Sequence, residues 1–367
     1  MKKQQSRQQR LGRQQEIVWL IVAVLLGLVA WKLHSSHFDW NGFWLSCRRA
    51  DWRFLLAAVA VIYFNCIFRA ERWAIFLKPA LPAGQRYRWW QLLGTQYIGF
   101  AGLAIFGRIG EFIRPYLVAR RTGLSFASQI AVVAVERIFD LGAFALIFSL
   151  NLLLAPQLNS LPYHERFHAI GYAIAGLTGV IAAFVIAVRL AGATMANLGG
   201  RLVAGFSSSA SETVRAKILH FRNGLNTIDS AKDFLLAALQ SLLLWSSVAL
   251  AYVLVLRAFP APVSTLSVAK VILLMGFSVV GSVVQLPGVG GGAQALTIGA
   301  LTLLFGIPRE LAFSAGLILW VISTMSVIPI GLLYARVEQV SLGKITQQSE
   351  AAQEIASELS AKAIEIA

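Results

Sequence analysis

Apolar residues in this chain come in long unbroken runs separated by short charged stretches, not at the spacing of a water-facing domain. The runs 17–33, 54–68, 127–155, 169–188, 234–256, 266–286 and 312–335 predict helices, and a bilayer core needs about 20 apolar residues per crossing helix. The run 54–68 is short and predicts an extension into its flanks. Two further apolar stretches are rich in glycine. The first, 92–106, carries Gly94, Gly99 and Gly102 and leads into Gly107 and Gly110; the second, 288–306, follows Pro287 and carries Gly288, Gly290, Gly291, Gly292, Gly299 and Gly306. Each glycine weakens a helix by about 1 kcal/mol, so both stretches predict broken or re-entrant helices. Such backbone is tolerated at membrane depth only where it is buried in protein or lines a wet cavity. The fold class that follows is an all-α polytopic membrane protein, a bundle of about 7–8 transmembrane helices with one or two Gly-broken re-entrant segments. It divides into a basic N-terminus (1–16), a transmembrane domain (17–336) and a polar amphipathic tail (337–367).

Composition agrees and narrows the class. Of 367 residues, 57% are hydrophobic and 13% charged, about half the charge of a soluble domain, and the mean hydropathy is +0.68. The net charge of +15 would alone suggest nucleic acid; in a membrane chain the basic residues sort by side instead, so no nucleic-acid partner is expected. Lys2, Lys3, Arg7, Arg10 and Arg13 precede the first run, which lacks a small-residue cleavage pattern and reads as an uncleaved anchor. If 92–106 dips in and returns, the basic residues of 69–126 and 189–232 join that N-terminus on one side. This places the N-terminus cytoplasmic in the inner membrane. The C-terminus is inside if 290–305 spans and outside if it is re-entrant; inside is preferred. Val214, Ile218, Phe221, Leu225 and Ile228 recur at helical spacing, as do apolar residues of the tail; each stripe fits a surface-lying helix or one packed on the protein itself. Cys47 and Cys66 are the only cysteines, which indicates neither a disulfide framework nor structural zinc, and no cofactor is expected.

The candidate chemistry lies in charges that break the apolar pattern. Glu136, Arg137 and Asp140 fall in the middle of 127–155, where an Asp or Arg costs about 2.5–3.5 kcal/mol to insert. Glu136 and Asp140 share a helix face, and Arg137 and Asp140 are spaced to pair. Either the group lines a substrate or ion pathway, or it is a buried ion-pair network that fixes packing. In 106–115, Arg108, Glu111 and Arg114 step by three and share a face if the segment is helical, with Pro115 then disturbing the helix. Free backbone N–H groups at a Gly-rich turn favour anions, and the arginine fork matches phosphate oxygens. One interrupted segment in each half is a pointer to a transporter midplane site. A different chemistry is spelled by His164-Glu165-Arg166-Phe167-His168, a literal zinc-protease pattern without a third ligand in the following run. No phosphate-binding loop, serine-hydrolase elbow or dinucleotide fingerprint is present, so transport would be passive or ion-coupled.

Asn65, Arg69 and Arg72-Trp73, then Gly107-Arg108-Ile109-Gly110-Glu111 and Arg114, then Glu136-Arg137 and Asp140, then Leu286-Pro287-Gly288 occur in this order. The series resembles the flippase-like family, also called the lysylphosphatidylglycerol synthase transmembrane region, from about residue 17 to 336. The resemblance implies a helical bundle with re-entrant helices that moves a charged phospholipid between leaflets. Lipid aminoacylation belongs to a separate soluble domain absent here and is not carried over. The chain departs from the family in having Phe106-Gly107 where Pro-x precedes the arginine, and Gln294 where a Glu is common. The expectation is a phospholipid or lipid-linked-substrate translocase, not an enzyme, with Arg108, Glu111, Arg114, Glu136, Arg137 and Asp140 at the substrate. Asn65, Arg69, Arg72, Pro287, Gly288 and Gln294 are secondary. The alternatives are a non-transporting accessory subunit of envelope glycolipid synthesis, or a zinc hydrolase. Protein partners left open are a second copy of the chain and an envelope-synthesis enzyme.

Overall fold

The computed structural model describes residues 38–82, 84–204, 211–215, 230–286 and 290–340. The predicted anchor 17–33, both amphipathic stripes in the main, Pro287 and Gly288 fall outside these residues. In chain order the helices are α1 (Trp40–Arg48), α2 (Trp52–Leu77), α3 (Trp89–Phe106), α4 (Ile113–Thr122), α5 (Phe126–Leu154), α6 (His164–Ala204), α7 (Ala231–Arg257), α8 (Val268–Gly281), α9 (Gly292–Gly299), α10 (Arg309–Trp320) and α11 (Val327–Val337). The all-α class therefore holds, with one two-residue ladder in which β1 (Gln285–Leu286) pairs antiparallel with β2 (Gly290–Gly291).

Polar residues between the apolar runs start the helices. Ser125, Ser230 and Ser267 cap α5, α7 and α8, each side chain accepting from the backbone N–H three residues on, which satisfies a donor the helix itself cannot. The run 54–68 extends in both directions into α2, so that Arg69 and Arg72 lie within a helix and not in the basic loop where the charge pattern put them. Run 169–188 lies within α6, which breaks only at Ala191. Among the described residues, four helices are long and apolar enough to cross a membrane: 52–80, 164–183, 231–257 and 309–337. The last consists of α10 and α11 joined through a π-helical turn, Val321–Met325. α5 has the length for crossing, about 44 Å for 29 residues at 1.5 Å per residue, and carries three charges in its middle.

The two Gly-rich stretches form helical hairpins. In the first, α3 runs to Gly107, whose φ of +66° turns the chain through a 3₁₀ segment (Gly107–Phe112) into α4, which packs back on α3. The hairpin closes where Gly110 meets Gly102: a Cβ on Gly110 would stand 2.3 Å from the Gly102 carbonyl oxygen. Pro115 does not disturb α4, because it lies in the first turn, where no N–H is required. In the second, the run 266–286 is not one spanning helix. α8 stops at Gly281, the β1–β2 ladder reverses the chain, and α9 continues through a π-helical turn to Leu304. Here Gly281 and Gly292 approach so closely that a Cβ on either would stand within 2.4 Å of the other's carbonyl oxygen. α8 has 14 residues, about 21 Å long against a hydrocarbon thickness of about 30 Å.

The hairpins enter from opposite ends of the bundle. α3 runs antiparallel to α11, with Gly94 against Tyr334 and Glu338 and Gly331 against Tyr97, and Arg121 is 2.8 Å from Glu338. α9 runs antiparallel to α10, with Gly316 against Ile298. The base of the first hairpin thus shares an end with Glu338 and that of the second with Arg309. The tips meet inside the bundle, where the 3₁₀ turn contacts β1. The segment 290–305 therefore returns with α8 to the end from which it came, and α10–α11 alone carries the chain to the Glu338 end.

Candidate functional site

Arg72 of α2 is fully buried and bridges to α5 and α7. Its two terminal nitrogens donate to Asp140 Oδ1 at 2.6 Å, to Ser241 Oγ at 2.6 Å and to Glu136 Oε1 at 2.6 Å. Glu136 is gripped from the other side by Arg114 of α4, whose Nη2 donates to Oε2 at 2.5 Å and whose Nη1 donates to Oε1 and to Gln96 Oε1, each at 3.1 Å. Arg114 also lies 4.3 Å over the Trp73 ring, which is fixed by an indole N–H donated to Gln129 at 3.2 Å. Charge-assisted bonds of this kind are about twice as strong as neutral ones, and five helices (α2, α3, α4, α5 and α7) contribute to the cluster.

Arg69 stands one helical turn before Arg72 and differs from it. Its Nε donates to Asn65 Oδ1 at 3.0 Å, its guanidinium sits 4.7 Å over the Phe100 ring, and it reaches Glu136 only at 3.9 Å. Asn65 is itself held by donation to the Leu244 carbonyl (2.9 Å) and Ser247 Oγ (2.6 Å). Arg137 pairs with Glu111 and not with Asp140, linking α5 to the first hairpin tip.

Beside this cluster, between the hairpin tips, is a cavity of about 670 Å³. One wall is charged: Asn65, Arg69, Glu111, Arg137 and Asp140. The hairpin tips add Phe100, Leu103 and Ala104 from one side, and Ser278, Ser282, Gln294 and Thr297 from the other. α7 contributes Trp245 and Tyr252, and α10–α11 with its π-turn contributes Ser323 and Thr324. Glu111 and Arg137 keep side-chain exposures of 40% and 47%.

Two sequence expectations change. Glu111 and Arg114 do not present one face to a ligand: Glu111 reaches the cavity and Arg114 is spent on Glu136. The Arg108 side chain lies outside the described residues. The Arg137–Asp140 pair is replaced by Arg137–Glu111 and Arg72–Asp140. Glu136 and Asp140 do share a face, and that face meets Arg72. Arg69 and Arg72 lay beyond the apolar run, and only the family resemblance drew attention to them. The wall of Ser278, Ser282, Ser323 and Thr324 was not singled out, because such residues are unremarkable in apolar helices. Gln294 accepts from the Gly291 N–H at the start of α9 and lines the cavity. The zinc-like pattern opens α6, where His168 is hydrogen-bonded to Asn159 at 3.0 Å; among the described residues no three His, Cys, Asp or Glu side chains converge as a metal site.

Comparison with protein families matches residues 18–331 to the family described as lysylphosphatidylglycerol synthase TM region. Comparison with curated proteins gives no match.

Proposed function

The chain belongs to the lysylphosphatidylglycerol synthase transmembrane-region family, membrane proteins linked to lipid handling, and on that footing we propose that it translocates a phospholipid or lipid-linked substrate between leaflets of the cytoplasmic membrane. The observation that carries the reading is the cavity: ionised and hydroxyl side chains line a space inside an otherwise apolar bundle where two hairpins from opposite ends meet. Interrupted helices paired in this way are the hallmark of midplane transport sites. Charged groups at membrane depth are expensive enough to be kept for a pathway.

In this mechanism a lipid lays its headgroup in the cavity while its acyl chains stay beside the bundle. Arg69 and Arg137 take the phosphate-binding part, since a guanidinium fork suits phosphate oxygens and Arg114 is committed to Glu136. Glu111 releases Arg137 as the headgroup enters. Arg72, Glu136, Asp140 and Arg114 hold the wall rather than touch the lipid. Small relative shifts of the two tips then open the cavity to one end or the other. The test is reconstitution in liposomes with acyl-labelled fluorescent phospholipids and an impermeant quencher. Wild type accelerates the loss of inner-leaflet signal over empty vesicles, and Arg137→Ala slows it at least several-fold. Rates equal to those of empty vesicles for all lipids, with lipid still retained on purification, would instead support a non-transporting accessory subunit.

A further inference from the structure

A patch of aromatic and basic side chains lies apart from the cavity, at the Arg309 end of the bundle. α1 has nine residues, about 14 Å of helix, too short to cross a bilayer core of about 30 Å. One face of it is pinned to α10. The rings of Phe38, just before α1, and of Phe43 meet that of Phe313 at 5.4 and 5.9 Å, and Ser314 Oγ donates to the Phe43 carbonyl at 3.2 Å. α2 follows with 26 residues, about 39 Å, which outruns the bilayer core, so its first residues, Trp52 and Arg53, fall in the headgroup zone.

The remainder of this patch is uncovered. Trp40, Trp44 and Trp52 are 47%, 58% and 61% exposed. Trp40, Trp44 and Arg48 recur every four residues and share a helix face, and Arg49 and Arg53 come directly after. Among the described residues no carboxylate forms an ion pair with Arg48, Arg49 or Arg53. The neighbouring acids are spent on the backbone, Asp39 accepting from the Asn41 N–H at the start of α1 and Asp51 from the Arg53 N–H at the start of α2.

Membrane proteins gather basic residues at one end, and here Arg86, Arg88, Arg120 and Arg121 do so at the Glu338 end. Arg48, Arg49 and Arg53 stand at the other, so that bias does not account for them. Indole rings settle where headgroups meet acyl chains, having an apolar body and a polar N–H. Guanidinium forks beside them match phosphate oxygens. A headgroup that adds an ammonium to its phosphate brings a cation against three unpaired arginines; an anionic headgroup does not.

We propose that α1 and the start of α2 form a docking surface for anionic phospholipid in the leaflet at the Arg309 end. Trp40, Trp44 and Trp52 rest at the boundary of headgroups and chains, and Arg48, Arg49 and Arg53 hold the phosphates. This surface is separate from the cavity and does not depend on translocation.

The test places an environment-sensitive fluorophore at Leu45→Cys in full-length protein with Cys47→Ser and Cys66→Ala, reconstituted in phosphatidylcholine liposomes. Quenching is compared for nitroxides high on an acyl chain or at its end, and for aqueous iodide. The high nitroxide is expected to quench most. Carried on phosphatidylglycerol, it is expected to quench several-fold more than on phosphatidylcholine at equal mole fraction, with the difference shrinking as salt screens the charges. Arg48→Gln with Arg49→Gln and Arg53→Gln removes that lipid preference and keeps the depth profile. Equal quenching by the two lipids, or a preference that survives the triple variant, overturns the proposal. So does dominant quenching by iodide, which puts the face in water, or by the chain-end nitroxide, which puts it in the core. Silence of all three quenchers also overturns it, because protein then covers the face.

Discussion

Arg72 shows how a single buried side chain binds the bundle together. It satisfies carboxylates on one helix and a hydroxyl on another at 2.6 Å, so truncating it strands Asp140 without a cation. Breaking such a pair costs about 3–5 kcal/mol, whereas replacing both partners with apolar groups is often nearly neutral. Arg72→Met is expected to lower thermal stability in detergent sharply, and Arg72→Met with Asp140→Leu to recover much of the loss, because Glu136 keeps Arg114. If the double variant is no more stable than the single one, the network is not what stabilises this region. The carboxylates of this cluster were legible in the sequence because Glu136 and Asp140 interrupt an apolar run. Their partner was not, because Arg72 lies beyond the end of the run 54–68, where a basic residue reads as a loop charge. Arg114 was legible as a site residue but not in its partner, since spacing along its own segment does not show that it meets Glu136 of α5.

At the level of elements, the hairpins depend on backbone touching backbone. A methyl at Gly281 would stand 2.2 Å from the Gly292 carbonyl oxygen, and one at Gly110 would stand 2.3 Å from that of Gly102, whereas one at Gly142 of α5 meets nothing within 4 Å. Gly110→Ala and Gly281→Ala are each expected to abolish lipid movement and lower the thermal midpoint. Gly142→Ala leaves activity intact and stabilises by roughly 0.5–1 kcal/mol, the helix propensity gain. Comparable behaviour of all three variants in thermal unfolding would contradict the hairpin account. Glycine content alone located both interruptions. It did not show that the run 266–286 ends at Gly281, because apolar residues continue past the turn as Val283 and Val284 and hydropathy has no means of marking a reversal. The partner of 288–306 was therefore read as a span when it is the other arm of the hairpin.

For the whole molecule, the ends follow from contacts rather than charge. Residues near Gln85 share an end with Glu338, and the turn around Ser160 lies at the other, where Asn151 donates to the Ala269 carbonyl at 3.0 Å. We place the Gln85 end in the cytoplasm, where Arg86, Arg88, Arg120 and Arg121 cluster, as basic residues do. With Cys47→Ser and Cys66→Ala as background, an impermeant maleimide added to intact cells should label Ser160→Cys and spare Gln85→Cys until the membrane is opened. The reverse pattern would invert the molecule, and equal labelling would contradict the separation of ends. The charge pattern of the sequence points to the same orientation but counts Arg69 and Arg72 among loop residues, and both lie within α2.

The central claim is that lipid passes through the space between the hairpin tips, and the Glu111–Arg137 contact ties the first tip to α5 at the wall of that space. In the same cysteine background, Glu111→Cys with Arg137→Cys joined by a short cleavable thiol-reactive linker clamps the two together. In liposomes the clamped protein is expected to move labelled lipid no faster than empty vesicles, and cleavage of the linker to restore the rate of the unlinked double variant. Lipid movement that continues unchanged while the clamp is in place would contradict the account.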